Sequence, residues 1–253
     1  MSILKKLAGQ TAVYGLSSIL GRFLNYLLVS LYTYTFIGAT GKAEYGVSAE
    51  FFAYASFGNV LFTYGMETAF FRFMQKNEGE KRVLATVLWS IVVSSLGFGG
   101  LILLLATPLC RWTNNVGREA YFYCLSLILM ADAIASLLFA KLRFENKATR
   151  FVTLRLVNIG INIGLNFLFY LVVPYLTRRG LFAPLSNHEP SAIWMFVAYV
   201  IANVSVLFLM TKELRTLKEG FDAALWRKMI VYGLPVLVMG FVYHARETHY
   251  QNG

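Results

Sequence analysis

The sequence predicts an all-α, polytopic membrane protein, and two observations carry that prediction. Of the 253 residues, 57% are hydrophobic and only 14% are charged, whereas a soluble domain carries about 25% charged residues. The apolar residues are also gathered into long blocks, and blocks of about 18 or more are typical of transmembrane helices. We therefore expect a bundle of helices that lies in a lipid bilayer.

Seven apolar segments follow one another along the chain. The first six are each long enough to cross about 30 Å of hydrocarbon, and the seventh is shorter. They lie at residues 11–37, 46–70, 83–107, 120–140, 152–176 and 192–211, with the seventh starting near 229. The sequence therefore predicts a six-helix transmembrane lobe at residues 1–217. Residues 218–253 are expected to form a cytoplasmic linker and the truncated start of a second lobe.

The distribution of basic residues predicts the orientation of these segments. Sixteen Lys and Arg residues flank the segments on the side of the N-terminus, and five lie on the opposite side. Since the cytoplasmic loops of membrane proteins carry the excess of basic residues, the N-terminus is expected in the cytoplasm. The same bias accounts for the net charge of +10, so nucleic acid is not expected as a partner.

The loops and the cysteines argue against an enzyme or a metal protein. The predicted outward loops are all short, and no loop carries the P-loop pattern GxxxxGK[ST] of ATPases. Cys110 and Cys124 form no CxxC or Cys/His set, and the three histidines are scattered. We expect no catalytic activity and no cofactor, and we expect the cysteines to be free thiols, with a disulfide as the less favoured alternative.

Charged side chains inside the predicted spans are candidate functional positions. A charge at the bilayer centre costs about 2.5–3.5 kcal/mol on insertion scales, so it usually faces a bundle interior or a wet cavity. Arg22 and Asp132 lie near mid-depth, and they either form a structural salt bridge or line a cavity. Glu50 is either a first-turn acid of its helix or, with Asp132, a site that couples transport to a cation. Glu67 is expected to be an interfacial carboxylate beside basic residues.

A polar stripe runs along the fifth segment. Asn158, Asn162 and Asn166 recur every four residues, with Arg155 one turn before them and Tyr170 one turn after them. Four-residue spacing places all five on one helix face. The stripe either forms an interhelical hydrogen-bond ladder or lines a hydrated cavity, and the register of three asparagines favours the cavity.

The first segment carries a matching polar face, formed by Ser18, Arg22 and Asn25. Two polar faces predict a central pocket lined by cationic and amide groups. Guanidinium binds phosphate through a planar fork, and amides suit sugar hydroxyls. The pocket therefore favours an anionic amphiphile as its ligand.

Two glycines lie on the other side of the fifth segment. Gly160 and Gly164 form a GxxxG pattern that points away from the asparagine stripe. Small residues at this spacing let another membrane helix approach closely. We therefore expect a helix to pack against the two glycines.

The beginning of the first segment recurs in the seventh. Residues 13–24, VYGLSSILGRFL, align with residues 231–242, VYGLPVLVMGFV, and each copy follows a cytoplasmic basic segment. Both copies therefore enter the membrane in the same direction, with six segments between their starts. The pattern predicts a parallel internal repeat of six-helix lobes.

The chain resembles a known family over residues 1 to about 242, most closely in its first two segments. The motif elements are Gly21-Arg22, Tyr45-Gly46, Gly65-Met66-Glu67-Thr68 and Phe71-Arg72-Phe73. They are similar to those of bacterial oligosaccharide and polysaccharide flippases, in the multidrug/oligosaccharidyl-lipid/polysaccharide exporter superfamily. The resemblance implies two six-helix lobes that form a V around a cavity with alternating access.

The same resemblance implies a cargo and a location. The cargo is undecaprenyl-pyrophosphate-linked oligosaccharide, which crosses the bacterial inner membrane for synthesis of O-antigen, capsule or exopolysaccharide. Arg22 is the position that the resemblance places against the pyrophosphate. The remaining cavity residues rest on their spacing alone.

The chain departs from that family at its C-terminal end. Members have twelve or more spans, whereas the seventh segment here runs into the polar stretch YHARETHYQNG. We therefore expect a truncated chain or a fragment, which needs its missing second lobe or a homologous partner to transport. Two alternatives stay open: a cation-coupled multidrug exporter of the same superfamily that uses Glu50 and Asp132, and an inert membrane subunit that does not transport.

Overall fold

The computed structural model describes residues 26–76, 80–179 and 191–251, together with Gly15, Ile19, Phe23 and Leu24; along 240–251 it describes the backbone alone. Within these residues the protein is helical and contains no strand. The predicted all-α class is therefore confirmed for the part of the chain that the structure describes.

The described helices follow one another with short connections. In chain order they are α1 (26–35), α2 (Gly38–Thr63), α3 (Met66–Gln75), α4 (Glu80–Leu104), α5 (Ala106–Trp112), α6 (Glu119–Phe144), α7 (Ala148–Phe167), α8 (Val173–Arg178), α9 (Ile193–Leu209), α10 (Thr211–Leu214) and α11 (Ala223–Gln251). A π-helical turn, Leu168–Val172, joins α7 to α8, and a 3₁₀ turn, Arg215–Glu219, follows α10.

Three helical stretches among the described residues are long and apolar enough to cross a membrane. They are Lys81–Leu104, Glu119–Phe144 and Ala148–Thr177. Ile193–Leu209 and Thr211–Glu219 pass the same test only as a pair, which is bent by 61°. The chain therefore has the character of a membrane protein, with three candidate spans, or four if the bent pair is one span.

The third, fourth and fifth predicted segments are thus each matched by one continuous helical stretch, but the predicted six-helix lobe is not confirmed. Most of the first segment lies outside the described residues. The second segment, predicted as one span over 46–70, is two helices, because α2 ends at Thr63 and α3 begins at Met66. The seventh segment belongs to α11, which begins at Ala223 rather than near 229.

The break between α2 and α3 has a local physical cause. Both linking residues have positive φ, 31° at Tyr64 and 73° at Gly65. Glycine takes the left-handed conformation without the penalty of a Cβ atom. A Cβ at Gly65 would also overlap the backbone of Gly233 on α11. Glycine at position 65 therefore allows both the turn and the close approach of α11.

Contacts divide the chain into two compact units, each built from two stretches. Unit 1 is Met1–Phe51 with Asn146–Val206, and unit 2 is Phe52–Glu145 with Leu207–Gly253. The first half of α2 thus belongs to unit 1 and its second half to unit 2. The predicted boundary after residue 217 stays a prediction.

Unit 2 has its core where α6 packs along α4, and α11 packs on α3 and α4 in the same unit. The hydroxyl of Ser126 on α6 donates to the carbonyl of Gly99 on α4 at 2.9 Å. Glu119 lies in the first turn of α6, and Lys141 and Arg143 lie in its last turn. These charges complement the helix dipole, so they favour the observed start and end of α6.

In unit 1, the π-helical turn is placed by a proline. Pro174 stands at the beginning of α8, and a proline ring clashes with the carbonyl four residues earlier, here that of Tyr170. A π turn widens the helix at that point. Tyr170 is 6% exposed, and its ring meets the rings of Tyr32 and Phe36 edge-on at 5.9 and 5.6 Å.

Candidate functional site

The predicted cavity residues are distributed over both units. Ser18, Arg22 and Asn25 lie outside the described residues. Asn158, Asn162 and Asn166 lie on α7, Glu50 lies on α2 in unit 1, and Asp132 lies on α6 in unit 2. The three asparagines are brought together on one helix face, as their spacing indicates. The assignment of the whole set to one cavity stays a prediction.

Asn166 is the most enclosed group of the asparagine stripe, with 0% exposure. The Tyr32 hydroxyl on α1 donates to Asn166 Oδ1 at 2.8 Å. Asn166 Nδ2 donates to the Asn162 carbonyl at 2.8 Å and to Asn162 Oδ1 at 2.9 Å. A buried amide must find partners for its donors and its acceptor, and these contacts supply them while they join α7 to α1.

Asn158 connects the same face of α7 to α9. Its Nδ2 donates to Oδ1 of Asn203 at 2.8 Å, and Asn203 is 5% exposed. One turn after Asn166, the Tyr170 hydroxyl donates to the carbonyl of Ser191 at 2.9 Å. The stripe therefore joins α7 to the helices on both sides of it within unit 1.

Sequence reasoning missed the two partners of the stripe, Tyr32 and Asn203. Asn203 had a visible signal, because it is the only asparagine in the apolar run of α9. Tyr32 had none, since tyrosine is frequent in this sequence. We name these five residues (Tyr32, Asn158, Asn162, Asn166 and Asn203) the amide column.

The amide column is chemically suited to neutral polar ligands. Amides and hydroxyls both donate and accept hydrogen bonds, which is the pattern that sugar hydroxyls require. Asn158 and Asn162 are half-buried, whereas Asn166 is enclosed. The observed bonds are those of an interhelical ladder, and a hydrated cavity along the stripe stays a prediction.

Unit 2 contains a second candidate, a crevice of about 550 Å³ between the end of α2, α4 and α11. Its wall is almost entirely apolar, and we name it the unit-2 crevice. Its lining includes Trp89, Val93, Phe98, Phe221 and Leu234. Val93 is 60% exposed and Leu234 is 47% exposed, so the crevice opens to the outside of the unit.

The polar groups in the wall of the crevice are bonded to one another. Ser90 Oγ accepts from Trp226 Nε1 at 2.6 Å and lies 2.6 Å from the Tyr64 hydroxyl. The Ser94 hydroxyl lies 3.4 Å from the same tyrosine oxygen, to which it donates. Trp89 Nε1 donates to the carbonyl of Leu217 at 3.0 Å. The crevice therefore offers apolar surface rather than hydrogen-bonding groups.

Two charged residues of α3, Glu67 and Arg72, each contact a side chain on another helix. Glu67 forms an ion pair with Arg143, and both side chains are partly exposed. A pair of this kind contributes about 0–1 kcal/mol. It places Glu67 beside a basic residue, as expected for an interfacial carboxylate. Arg72, from the same motif region, lies 4.2 Å from the ring centre of Tyr232 on α11, a favourable cation–π contact.

The prediction of free thiols is confirmed, since neither Cys110 nor Cys124 forms a disulfide. Among the residues that the structure describes, no group of three or more His, Cys, Asp or Glu side chains is placed to hold a metal ion. Comparison of the chain with family models, with curated proteins and with solved structures returns no match. The function proposed below therefore rests on the residues and their geometry.

Proposed function

We propose that the protein is a transporter that moves undecaprenyl-pyrophosphate-linked oligosaccharide across the bacterial inner membrane by alternating access. It would act as one six-helix lobe together with a second lobe or a homologous partner. The single observation that carries the proposal is the amide column. Three of its five residues lie on α7, whose stretch Ala148–Thr177 is long enough to span a membrane, and polar groups inside such spans are uncommon and are often functional.

Each part of the cargo has a counterpart in the chain. Sugar hydroxyls suit the amides and the tyrosine hydroxyl of the column. The pyrophosphate suits Arg22, since a guanidinium binds phosphate oxygens through two parallel hydrogen bonds. Transport of this kind makes and breaks no covalent bond, so it needs neither a nucleophile nor a metal. The resemblance of the first two segments to flippases supports the same cargo.

The proposal is tested by genetic complementation. In a bacterial strain that lacks its own O-antigen flippase, the protein co-expressed with a second lobe is expected to restore surface glycan, measured by lectin binding to whole cells. Arg22→Ala is expected to lower that restoration at least fivefold, because the phosphate loses its cation, while Arg22→Lys keeps part of it. Membrane abundance of each variant, measured on an epitope tag, is the control.

Three outcomes would contradict the proposal. Equal restoration by wild type and Arg22→Ala would remove the assigned role of that arginine. Efflux of cationic dyes without any surface glycan would favour the cation-coupled exporter, for which Asp132, half-buried on α6, is the candidate coupling group. Neither glycan nor efflux, at normal abundance, would favour a membrane subunit that does not transport.

The proposed topology makes a separate prediction for the two ends of α6. In a background with Cys110→Ala and Cys124→Ala, Val116→Cys is expected to react with a membrane-impermeant maleimide in intact spheroplasts. Lys147→Cys is expected to react only after permeabilisation. Val116 is 74% exposed and Lys147 is also exposed, so access depends on the side of the membrane. The reverse pattern would overturn the cytoplasmic N-terminus.

A further inference from the structure

We propose that the unit-2 crevice holds the hydrocarbon chain of a polyprenyl phosphate. This inference rests on the proposed function and deepens it, because it assigns the lipid part of the cargo to a site that the sequence did not indicate. The amide column and Arg22 address only the polar part of such a molecule. The crevice supplies the apolar surface that its chain needs.

The size of the crevice suits a stretch of one hydrocarbon chain. From Trp89 to Phe98 it follows ten residues of α4, and the nine steps between them span about 14 Å at about 1.5 Å per residue. Its volume of about 550 Å³ lies within the range of small-molecule sites, about 300–1,000 Å³. A hydrocarbon chain needs apolar contact and no hydrogen-bonding partner, and this suits a wall whose polar groups are bonded to one another.

The crevice also lies along a helix that is able to span a membrane, so lipid can reach it. It follows α4, whose stretch Lys81–Leu104 is long and apolar enough to span a membrane. Trp89 is the lining residue of α4 nearest the start of that helix, Trp226 bonds to the adjacent Ser90, and the ring of Phe221 lies 6.1 Å from that of Trp226. Tryptophan is enriched at the membrane interface. Val93 and Leu234, both strongly exposed, leave the side open toward lipid. A chain can therefore enter from the bilayer.

Positive charge lies at the tryptophan end. Arg82 shares the face of α4 that Thr86, Trp89 and Val93 form, since the spacings are four, three and four residues. Lys218 directly follows Leu217, whose carbonyl binds Trp89 Nε1 at 3.0 Å. Arg82 and Lys218 are both exposed, so they are free to turn toward a phosphate at the membrane surface.

Two acidic residues, Glu219 and Asp222, lie at the same end of the crevice. Asp222 Oδ1 accepts from the backbone N–H of Leu225 at 3.0 Å, which caps α11. The backbone N–H of Asp222 donates to Thr86 Oγ1 at 3.2 Å. Glu219 is exposed beside Lys218, and Arg227 and Lys228 follow Trp226. Basic residues therefore outnumber acidic ones at this end, and the charge complements a phosphate.

The experiment is photo-crosslinking of the purified protein in nanodiscs. The probe is a polyprenyl phosphate with a diazirine on its chain, and labelled peptides are identified by mass spectrometry. Labelling is expected on α4 between Trp89 and Phe98 and on α11 near Leu234. A fivefold excess of unlabelled polyprenyl phosphate is expected to reduce this labelling at least threefold. The same excess of phosphatidylglycerol is expected to leave the labelling unchanged.

A matched pair of variants tests the site itself. Val93→Trp fills the crevice and is expected to lower labelling at least fivefold. Leu96→Trp lies on the same helix, where the native residue is 62% exposed and does not line the crevice, so labelling is expected to persist. The competition measurement on the wild-type protein keeps the test valid if Val93→Trp does not fold.

The outcomes separate this proposal from the proposed function. Equal labelling by a diazirine phosphatidylglycerol, or labelling that survives Val93→Trp, would overturn the polyprenyl site. Restored surface glycan without labelling of the crevice would overturn the site and leave the transport function standing. Labelling of the crevice without restored glycan would support the site and contradict the transport function.

Discussion

Gly65→Ala is expected to destabilise the folded protein by about 3 kcal/mol, the largest effect that the geometry of this chain predicts. Gly65 has φ 73°, and an L-residue pays about 1–2 kcal/mol in the left-handed region. The added Cβ also overlaps the backbone of Gly233, so α11 must shift away from α3. Overpacking of this kind costs about 1–3 kcal/mol. The measurement is thermal unfolding in detergent, followed by size-exclusion chromatography of the heated protein.

Two other glycines provide matched controls for this substitution. A Cβ at Gly160 or Gly164 meets no atom of the described residues within 4 Å, and glycine inside a helix is about 1 kcal/mol less favourable than alanine. Gly160→Ala and Gly164→Ala are therefore expected to leave stability unchanged or to raise it. Gly233→Ala is expected to lie between these results, since its Cβ would sit 3.0 Å from the Tyr64 carbonyl oxygen.

If Gly65→Ala unfolds at the wild-type temperature, the close contact between α3 and α11 does not contribute to stability. If Gly160→Ala destabilises as strongly as Gly65→Ala, the effect does not come from positive φ or from a backbone clash. The comparison therefore isolates the geometry of residue 65 from the general effect of adding a methyl group.

The same glycines show what sequence patterns can and cannot predict. The GxxxG pattern predicted close helix approach at Gly160 and Gly164, yet no described residue comes within 4 Å of a Cβ at either position. The close approach is found instead between Gly65 and Gly233, which are far apart in the sequence. Gly233 belongs to the second VYGL, which we interpreted only as a sign of an internal repeat.

Local properties were predictable and long-range ones were not. The helices α4, α6 and α7 followed from length and apolarity, which each segment carries by itself. The break at Tyr64 and Gly65 could not be predicted in this way, because it accompanies contacts with α11, which comes from the other end of the chain. Likewise, periodicity placed the asparagines on one face of α7, but their partners Tyr32 and Asn203 depend on which helices become neighbours.

Asn166→Leu is expected to destabilise the protein by about 1–2 kcal/mol, the second large effect. The substitution keeps the approximate volume but removes three hydrogen bonds, two to Asn162 and one from Tyr32. Leaving buried polar groups without partners costs about 1–3 kcal/mol, and membrane proteins lie toward the lower part of that range. Thermal unfolding in detergent measures the change.

A double-mutant cycle with Tyr32→Phe tests the specific contact. Replacing both partners by apolar groups removes the unsatisfied hydroxyl, so the double variant is expected to be about 1 kcal/mol more stable than the sum of the single effects predicts. Asn158→Leu serves as the comparison, since Asn158 is half-buried and bonds to Asn203 instead. A coupling energy of zero between positions 32 and 166 would contradict the bond across α1 and α7.

The amide column can be a structural ladder, a sugar site or both, and stability compared with transport separates these roles. If the column only joins helices, surface glycan is expected to fall in proportion to folded protein for every variant. If it binds the cargo, Asn158→Ala and Asn162→Ala are expected to reduce glycan at least threefold at unchanged abundance. These two amides are half-buried, so they are the ones that a ligand can reach, whereas Asn166 is enclosed and acts by holding Asn162 in place.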